Sequence, residues 1–108
     1  MKIVAVTSCA TGIAHSYMAA EALKKAARET GDEIKVETQG AMGIENRLSQ
    51  EEIDNAGIII WANDVGVREP ERFDENKIVK FGPYETIKNA KEIIEKAKEI
   101  IEKAKKSK

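Results

Sequence analysis

Ile58-Ile59-Ile60-Trp61-Ala62 is an unbroken apolar run, entered through Gly57 and left through the polar pair Asn63-Asp64. A short run this rich in β-branched residues suits a strand buried on both faces, and such strands belong to parallel sheets with helices above and below. Lys2-Ile3-Val4-Ala5-Val6-Thr7 reads as a second buried strand. Between them, residues from about His15 to Thr30 place Met18, Ala19, Ala22, Leu23, Ala26 and Ala27 at helical spacing, and Gly31 stops the stripe. Ile34-Lys35-Val36-Glu37-Thr38 alternates, as a half-buried strand at a sheet edge does. Gly40-Ala41-Met42-Gly43 reads as a loop, and Ser49-Gln50-Glu51-Glu52 has capping-box spacing for a short helix ending near Ala56. Asn63 to Asn76 is polar, contains Pro70 and reads as a long connection with one helical turn. Lys77-Ile78-Val79-Lys80-Phe81 forms a last strand, Gly82-Pro83 breaks the chain, and a final helix starts near Tyr84.

Alternating strands and helices predict an α/β fold: a three-layer, Rossmann-like, mostly parallel open sheet of four strands in the order 2-1-3-4. That order places a topological switch point between strands 1 and 3, and ligands in such sheets sit beyond the carboxyl ends of the strands at this point. Cys9 follows strand 1 and Asn63-Asp64 follow strand 3, so both are expected on one rim. The heptad Lys91-Glu92-Ile93-Ile94-Glu95-Lys96-Ala97 recurs over 98–104, with Ile93, Ile94, Ala97, Ile100, Ile101 and Ala104 on one face. Two repeats are too few for a coiled coil and predict a helix docked on the sheet, followed by a Lys-rich tail.

Charge and composition narrow the function. Residues 80–108 carry 9 basic and 5 acidic side chains, against 9 and 14 in residues 1–79. The basic surplus lies on a Lys/Glu helix with no interleaved aromatics, which is the pattern of a solvated face and not of a nucleic-acid site. The apolar run at 57–62 is too short to span a bilayer, and a strand directly after Met1 leaves no signal-peptide pattern. One cysteine and one histidine exclude a zinc site built from those ligands, and a lone cysteine fits a reducing cytoplasm. No metal or organic cofactor is expected.

Cys9 is then the residue that can carry chemistry. It sits where strand 1 ends and the first helix begins, in the short, small-residue segment Ser8-Cys9-Ala10-Thr11-Gly12-Ile13-Ala14. A thiol ringed by loop N–H groups at the positive end of a helix is placed to carry a phosphoryl group, since both stabilise the thiolate and the incoming anion. Gly12 allows close backbone approach, Ser8 and Thr11 supply hydroxyls, and His15 and Ser16 open the helix. His15 either donates to phosphoryl oxygens or biases Cys9 toward thiolate, or else simply faces solvent or hydrogen-bonds a loop carbonyl. The frame Cys9-x5-His15-Ser16 matches the Cys-x5-Arg-Ser/Thr phosphate loop of cysteine phosphatases, without its arginine. A bidentate guanidinium clamps the phosphoryl group for hydrolysis; a single imidazole does so poorly, which suits a carrier whose phosphocysteine must survive in water. A cysteine-dependent phosphatase of low-molecular-weight type remains the rival reading. Asp64 reads as a loop cap in preference to a general acid, Trp61 as core, and Arg72 as meeting either a partner's acidic surface or Glu69 or Asp74.

The stretch Cys9-Ala10-Thr11-Gly12-Ile13-Ala14-His15-Ser16-Tyr17-Met18-Ala19-Ala20-Glu21-Ala22-Leu23 resembles the phosphocysteine signature of fructose-type enzyme IIB domains of the bacterial phosphoenolpyruvate-dependent sugar phosphotransferase system. Glu37-Thr38-Gln39-Gly40, Gly43-Ile44-Glu45-Asn46 and Arg72-Phe73 also match that family's pattern, and the resemblance covers roughly residues 2–75. It implies that residues 1–108 form a single enzyme IIB domain. It implies further that Cys9 takes phosphate from a phosphohistidine on enzyme IIA and passes it to sugar bound in a membrane enzyme IIC. Ala10, Thr11, Gly12, Ile13, Ala14, His15 and Ser16 would cradle the phosphate. The implied setting is the cytoplasm, docked to an inner-membrane transporter, without insertion of the chain itself. One departure stands out: the family usually has proline where this chain has Ala10, and alanine restores a backbone N–H.

Overall fold

The computed structural model describes residues 1–10, 13–40 and 43–106. Five strands form one open sheet: β1 (Lys2–Ser8), β2 (Glu33–Gly40), β3 (Gly43–Glu45), β4 (Ile58–Asn63) and β5 (Ile78–Phe81), in the order β3-β2-β1-β4-β5. The four expected strands keep their expected order and are mutually parallel. The fifth, β3, is an addition: Thr38 pairs with Glu45 and Gly40 with Gly43 in an antiparallel ladder. Gly43 has φ of +125°, a conformation that glycine alone adopts freely, and it begins β3; of the segment read as a loop, Ala41 and Met42 lie outside the described residues. Consequently β2 is not the edge, and its second half is buried from Val36 to Gln39.

Helix α1 (Ile13–Thr30) and the long α3 (Pro83–Lys106) cover one face of the sheet. The other face carries the short α2 (Gln50–Asn55) and the connection 64–77. Period-2 alternation along β1 explains the division: Ile3 and Ala5 join the first core, Val4 and Val6 the second. Each helix starts and stops as its sequence dictates. Gly31, at φ +74°, ends α1, and Asp32 N–H closes on the Ala27 carbonyl at 2.9 Å. Ser49 and Glu52 cap α2 reciprocally, as the spacing predicts. Gly82 and Pro83 set the start of α3, where the Thr86 hydroxyl donates to the Gly82 carbonyl at 2.8 Å. Two 3-10 turns, Pro70–Arg72 and Glu75–Lys77, occupy the connection where one helical turn was expected.

Two apolar stripes are narrower than their periodicity implies. Met18 of α1 is 51% exposed, because Ala19, Ala20, Leu23, Ala26 and Ala27 face the sheet and turn it outward. In α3, Ile93, Ile94, Ala97 and Ile101 are buried, each isoleucine contributing about 1.5–3 kcal/mol. Ile100 and Ala104 face solvent instead. The helix bends at Asn89, whose φ of −134° and ψ of 41° interrupt the helical path.

Candidate functional site

The rim formed by the carboxyl ends of β1 and β4 brings Cys9 and Asp64 together. In the parallel register Ser8 lies beside Asn63, and the Asp64 N–H donates to the Ser8 carbonyl at 3.2 Å. This main-chain bond fixes the two strand exits against each other. The Asp64 carboxylate then reaches back over the start of the loop. Its Oδ1 accepts the Ala10 N–H at 2.7 Å, and its Oδ2 accepts from Cys9 Sγ at 3.5 Å. Asp64 is therefore the loop cap expected of it, and it also lies in hydrogen-bond contact with the thiol. Cys9 is partly exposed.

The Ala10 bond gives the departure at that position a physical meaning. Proline has no N–H, so the 2.7 Å contact to Asp64 exists here because alanine stands at position 10. Of the expected phosphate loop, Thr11 and Gly12 lie outside the described residues, as does the side chain of Ile13. Ala14 is exposed on the first turn of α1. Ser16 is fully buried, and its hydroxyl has no hydrogen-bond partner among the described residues.

His15 is half-buried and packs on Tyr84, the second residue of α3, with ring centroids 5.0 Å apart and planes inclined at 57°. Periodicity offers no sign of Tyr84 as a neighbour of the site, since it lies 69 positions further on and only the docking of α3 beside α1 joins them. Tyr17 extends the rim on the opposite side, where its hydroxyl donates to the Glu45 carboxylate on β3. That contact pushes the Tyr17 phenol above its ordinary range, with some help from burial. An open cleft of about 490 Å³ adjoins Asp64, lined also by Asn63, Val65, Lys80 and Glu85.

Beneath the rim, on the α2 face, Glu37 is wholly shielded from water. Arg72 forks onto it at 2.9 and 2.8 Å, Gln39 donates at 2.8 Å and the Leu48 N–H at 3.0 Å. Burial works to raise the Glu37 carboxyl, but the Arg72 fork, Gln39 and Leu48 outweigh it and hold it below the ordinary carboxylate range. Arg72 thus pairs with Glu37; Glu69 supplies only its main-chain carbonyl, to Nε at 3.1 Å, while its carboxylate pairs with Arg47. Gln39 carries the network towards the rim, because its Oε1 accepts the Arg68 N–H at 2.8 Å. Trp61 is core as expected, edge-on to Phe73 at 5.6 Å.

Comparison with known proteins agrees with this architecture. A sequence model of the family described as "PTS system, Lactose/Cellobiose specific IIB subunit" matches residues 4–96. The fructose-like EIIB component 2 of the PTS system of Escherichia coli K12 is 47% identical over 92 residues, covering 85% of this chain and 87% of that protein. The fructose-like PTS system EIIBC component of the same strain is 46% identical over 95 residues, covering 86% of this chain and 20% of that longer protein. The solution structure of an enzyme IIB subunit of the PTS system from Escherichia coli K12 superposes with a TM-score of 0.86 at 42% identity, covering 96% of each chain. Among the described residues no helix is long and apolar enough to cross a membrane. A strand-to-helix rim bearing the one cysteine, matched along nearly its whole length by these proteins, places this chain in the IIB-subunit family of the sugar phosphotransferase system.

Proposed function

We propose that this chain is the phosphoryl carrier of a fructose-type phosphotransferase system, with Cys9 as the residue that is phosphorylated. The observation that carries the reading is the placement of Cys9: partly exposed, at the carboxyl end of β1, directly before the N-terminal end of α1. There the helix dipole favours an anion, and a thiol is a strong enough nucleophile to attack phosphorus. The donor is the phosphohistidine of an enzyme IIA. Sulfur attacks phosphorus, the P–N bond breaks and imidazole leaves. The acceptor is a sugar held by a membrane enzyme IIC; its hydroxyl attacks phosphorus and the S–P bond breaks. The fused EIIBC relative supports a membrane partner next to this module, and a lone thiol suits the cytoplasm. The fructose-like names of the relatives support the sugar class, although the matching family is described by lactose and cellobiose.

The experiment is incubation with phosphoenolpyruvate, the general phosphotransferase proteins and enzyme IIA, followed by mass spectrometry of the Cys9 peptide. One phosphoryl group on Cys9, absent from Cys9→Ser, is the expected result. A serine hydroxyl has no comparable anionic population at neutral pH. Steady release of inorganic phosphate from an aryl phosphate, without a stable phosphocysteine, would instead identify a phosphatase.

A further inference from the structure

Asp64 does more than cap a loop, because its two oxygens have different partners. Oδ1 is held by the Ala10 N–H at 2.7 Å, which fixes the carboxylate plane and leaves Oδ2 facing Cys9 Sγ at 3.5 Å. The main-chain bond from Asp64 N–H to the Ser8 carbonyl anchors the same residue to the strand that carries the thiol. A carboxylate so placed is either an obstacle to an incoming phosphoryl dianion or the group that makes its arrival possible.

We infer that Asp64 is the general base for Cys9, taking the thiol proton as sulfur attacks phosphorus and returning it when sulfur leaves. The inference rests on the phosphocysteine reading above. In the accepting step the S–H proton moves to Asp64 Oδ2, the S–P bond forms, the P–N bond of the donor breaks and its electron pair stays on the departing imidazole. The site then holds a phosphoryl group beside a neutral carboxylic acid, which donates a hydrogen bond to it instead of repelling it. In the return step the S–P bond breaks and the leaving sulfur regains the proton from Oδ2, while the attacking sugar hydroxyl gives its own proton to water. A thiol is only a few per cent ionised at neutral pH, so a base in contact with it raises the reactive fraction at the moment of transfer.

The other titratable groups around this end of the rim are Lys80 of β5 and Glu85 of α3, which line the same cleft, and His15 of α1 with Tyr84 of α3. Asp64 is the carboxylate in hydrogen-bond contact with Cys9 Sγ, at 3.5 Å.

The test measures the rate of phosphoryl acceptance from phosphorylated enzyme IIA against pH, by rapid quench and intact mass. Wild type is expected to be nearly flat between about pH 6 and 8, because the base takes the thiol proton within the transfer step. Asp64→Asn keeps the shape and an acceptor for Ala10 but cannot take a proton. Its rate should fall about 10²-fold near neutrality, the low end of general-base contributions, and climb roughly tenfold per pH unit as thiolate accumulates. Asp64→Glu should be slower than wild type yet keep the flat profile, and Glu85→Gln should change neither rate nor profile. A flat profile for Asp64→Asn, whether at the wild-type rate or uniformly reduced, overturns the inference while leaving the phosphocysteine intact. Wild type that takes no phosphate on Cys9 overturns the carrier reading, and the base with it.

Discussion

Arg72 sets a two-pronged fork on the fully buried Glu37, Nη1 to Oε1 at 2.9 Å and Nη2 to Oε2 at 2.8 Å. The pair ties the 3-10 turn after Pro70 to the middle of β2, and Gln39 and Leu48 saturate the remaining oxygen lone pairs. It lies on the α2 face beneath the rim, so its role is to hold the connection 64–77, and with it the strand exit that carries Asp64.

Breaking the pair from one side should therefore destabilise the fold strongly. Glu37→Gln leaves Arg72, only 10% exposed, without its counter-charge, and the expected loss is about 3–5 kcal/mol. Replacing both members by apolar residues, Glu37→Leu with Arg72→Met, should recover most of that loss. Urea unfolding midpoints of the two variants, at unchanged slope, check the prediction. A double variant as unstable as the single one would mean that the charges themselves hold the connection.

Acid should unfold the protein through identifiable carboxylates. Glu37 is held below its ordinary range, and so is Asp32, where burial is outweighed by hydrogen bonds from Lys98 and Thr30. A carboxylate depressed in the folded state stabilises it at pH values above the unfolded carboxylate range. That contribution disappears as pH falls below about 4 towards the folded values, because the unfolded chain binds protons first. Thermal melts from pH 7 to pH 2.5 should show stability flat near neutrality and falling below about pH 4. Glu37→Gln, less stable throughout, should show a shallower fall.

The β-α alternation, the strand order and the shared rim of Cys9 and Asp64 were legible because apolar runs and helix caps are local signals. What escaped was tertiary. Nothing in Gly43-Ile44-Glu45 marks a strand until β2 lies beside it, and its pairing moves β2 from the edge to the interior. Glu37 reads as the polar face of an alternating strand, and its true partner lies 35 positions away. Met18 and Ile100 sit at the flank of their helical stripes, where the curvature of the packed neighbour decides burial. Tyr84 came to His15 only through the docking of α3 beside α1. Cys9 stands out in the sequence by its position and its neighbours; the second oxygen contact of Asp64 has no such local signal.

Ala10→Pro isolates the N–H that orients Asp64. Proline removes the donor of the 2.7 Å bond to Oδ1, frees the carboxylate to rotate and fixes φ of the loop. The expected outcome is a slower phosphoryl acceptance with global stability changed by less than about 1 kcal/mol, since the position is exposed. Combining Ala10→Pro with Asp64→Asn should give less than the product of the two effects, because both act on the same carboxylate. Strictly multiplicative rates would show that Ala10 acts on the loop independently of Asp64.

His15→Arg tests why a phosphocysteine here would persist. Histidine stands six positions after Cys9, where the phosphatase frame carries arginine, and its ring lies against Tyr84. A guanidinium in its place presents a planar fork able to hold two phosphoryl oxygens and to stabilise the charge that develops when water attacks. A tyrosine face is in general a favourable neighbour for a guanidinium. Phosphorylated His15→Arg should therefore lose phosphate to water at least about tenfold faster than wild type, the effect of about 1.4 kcal/mol at the transition state. The half-life of the isolated phosphoprotein, followed by intact mass after removal of the donor, is the measurement. A half-life equal to wild type in a folded variant would place the protection elsewhere in the loop.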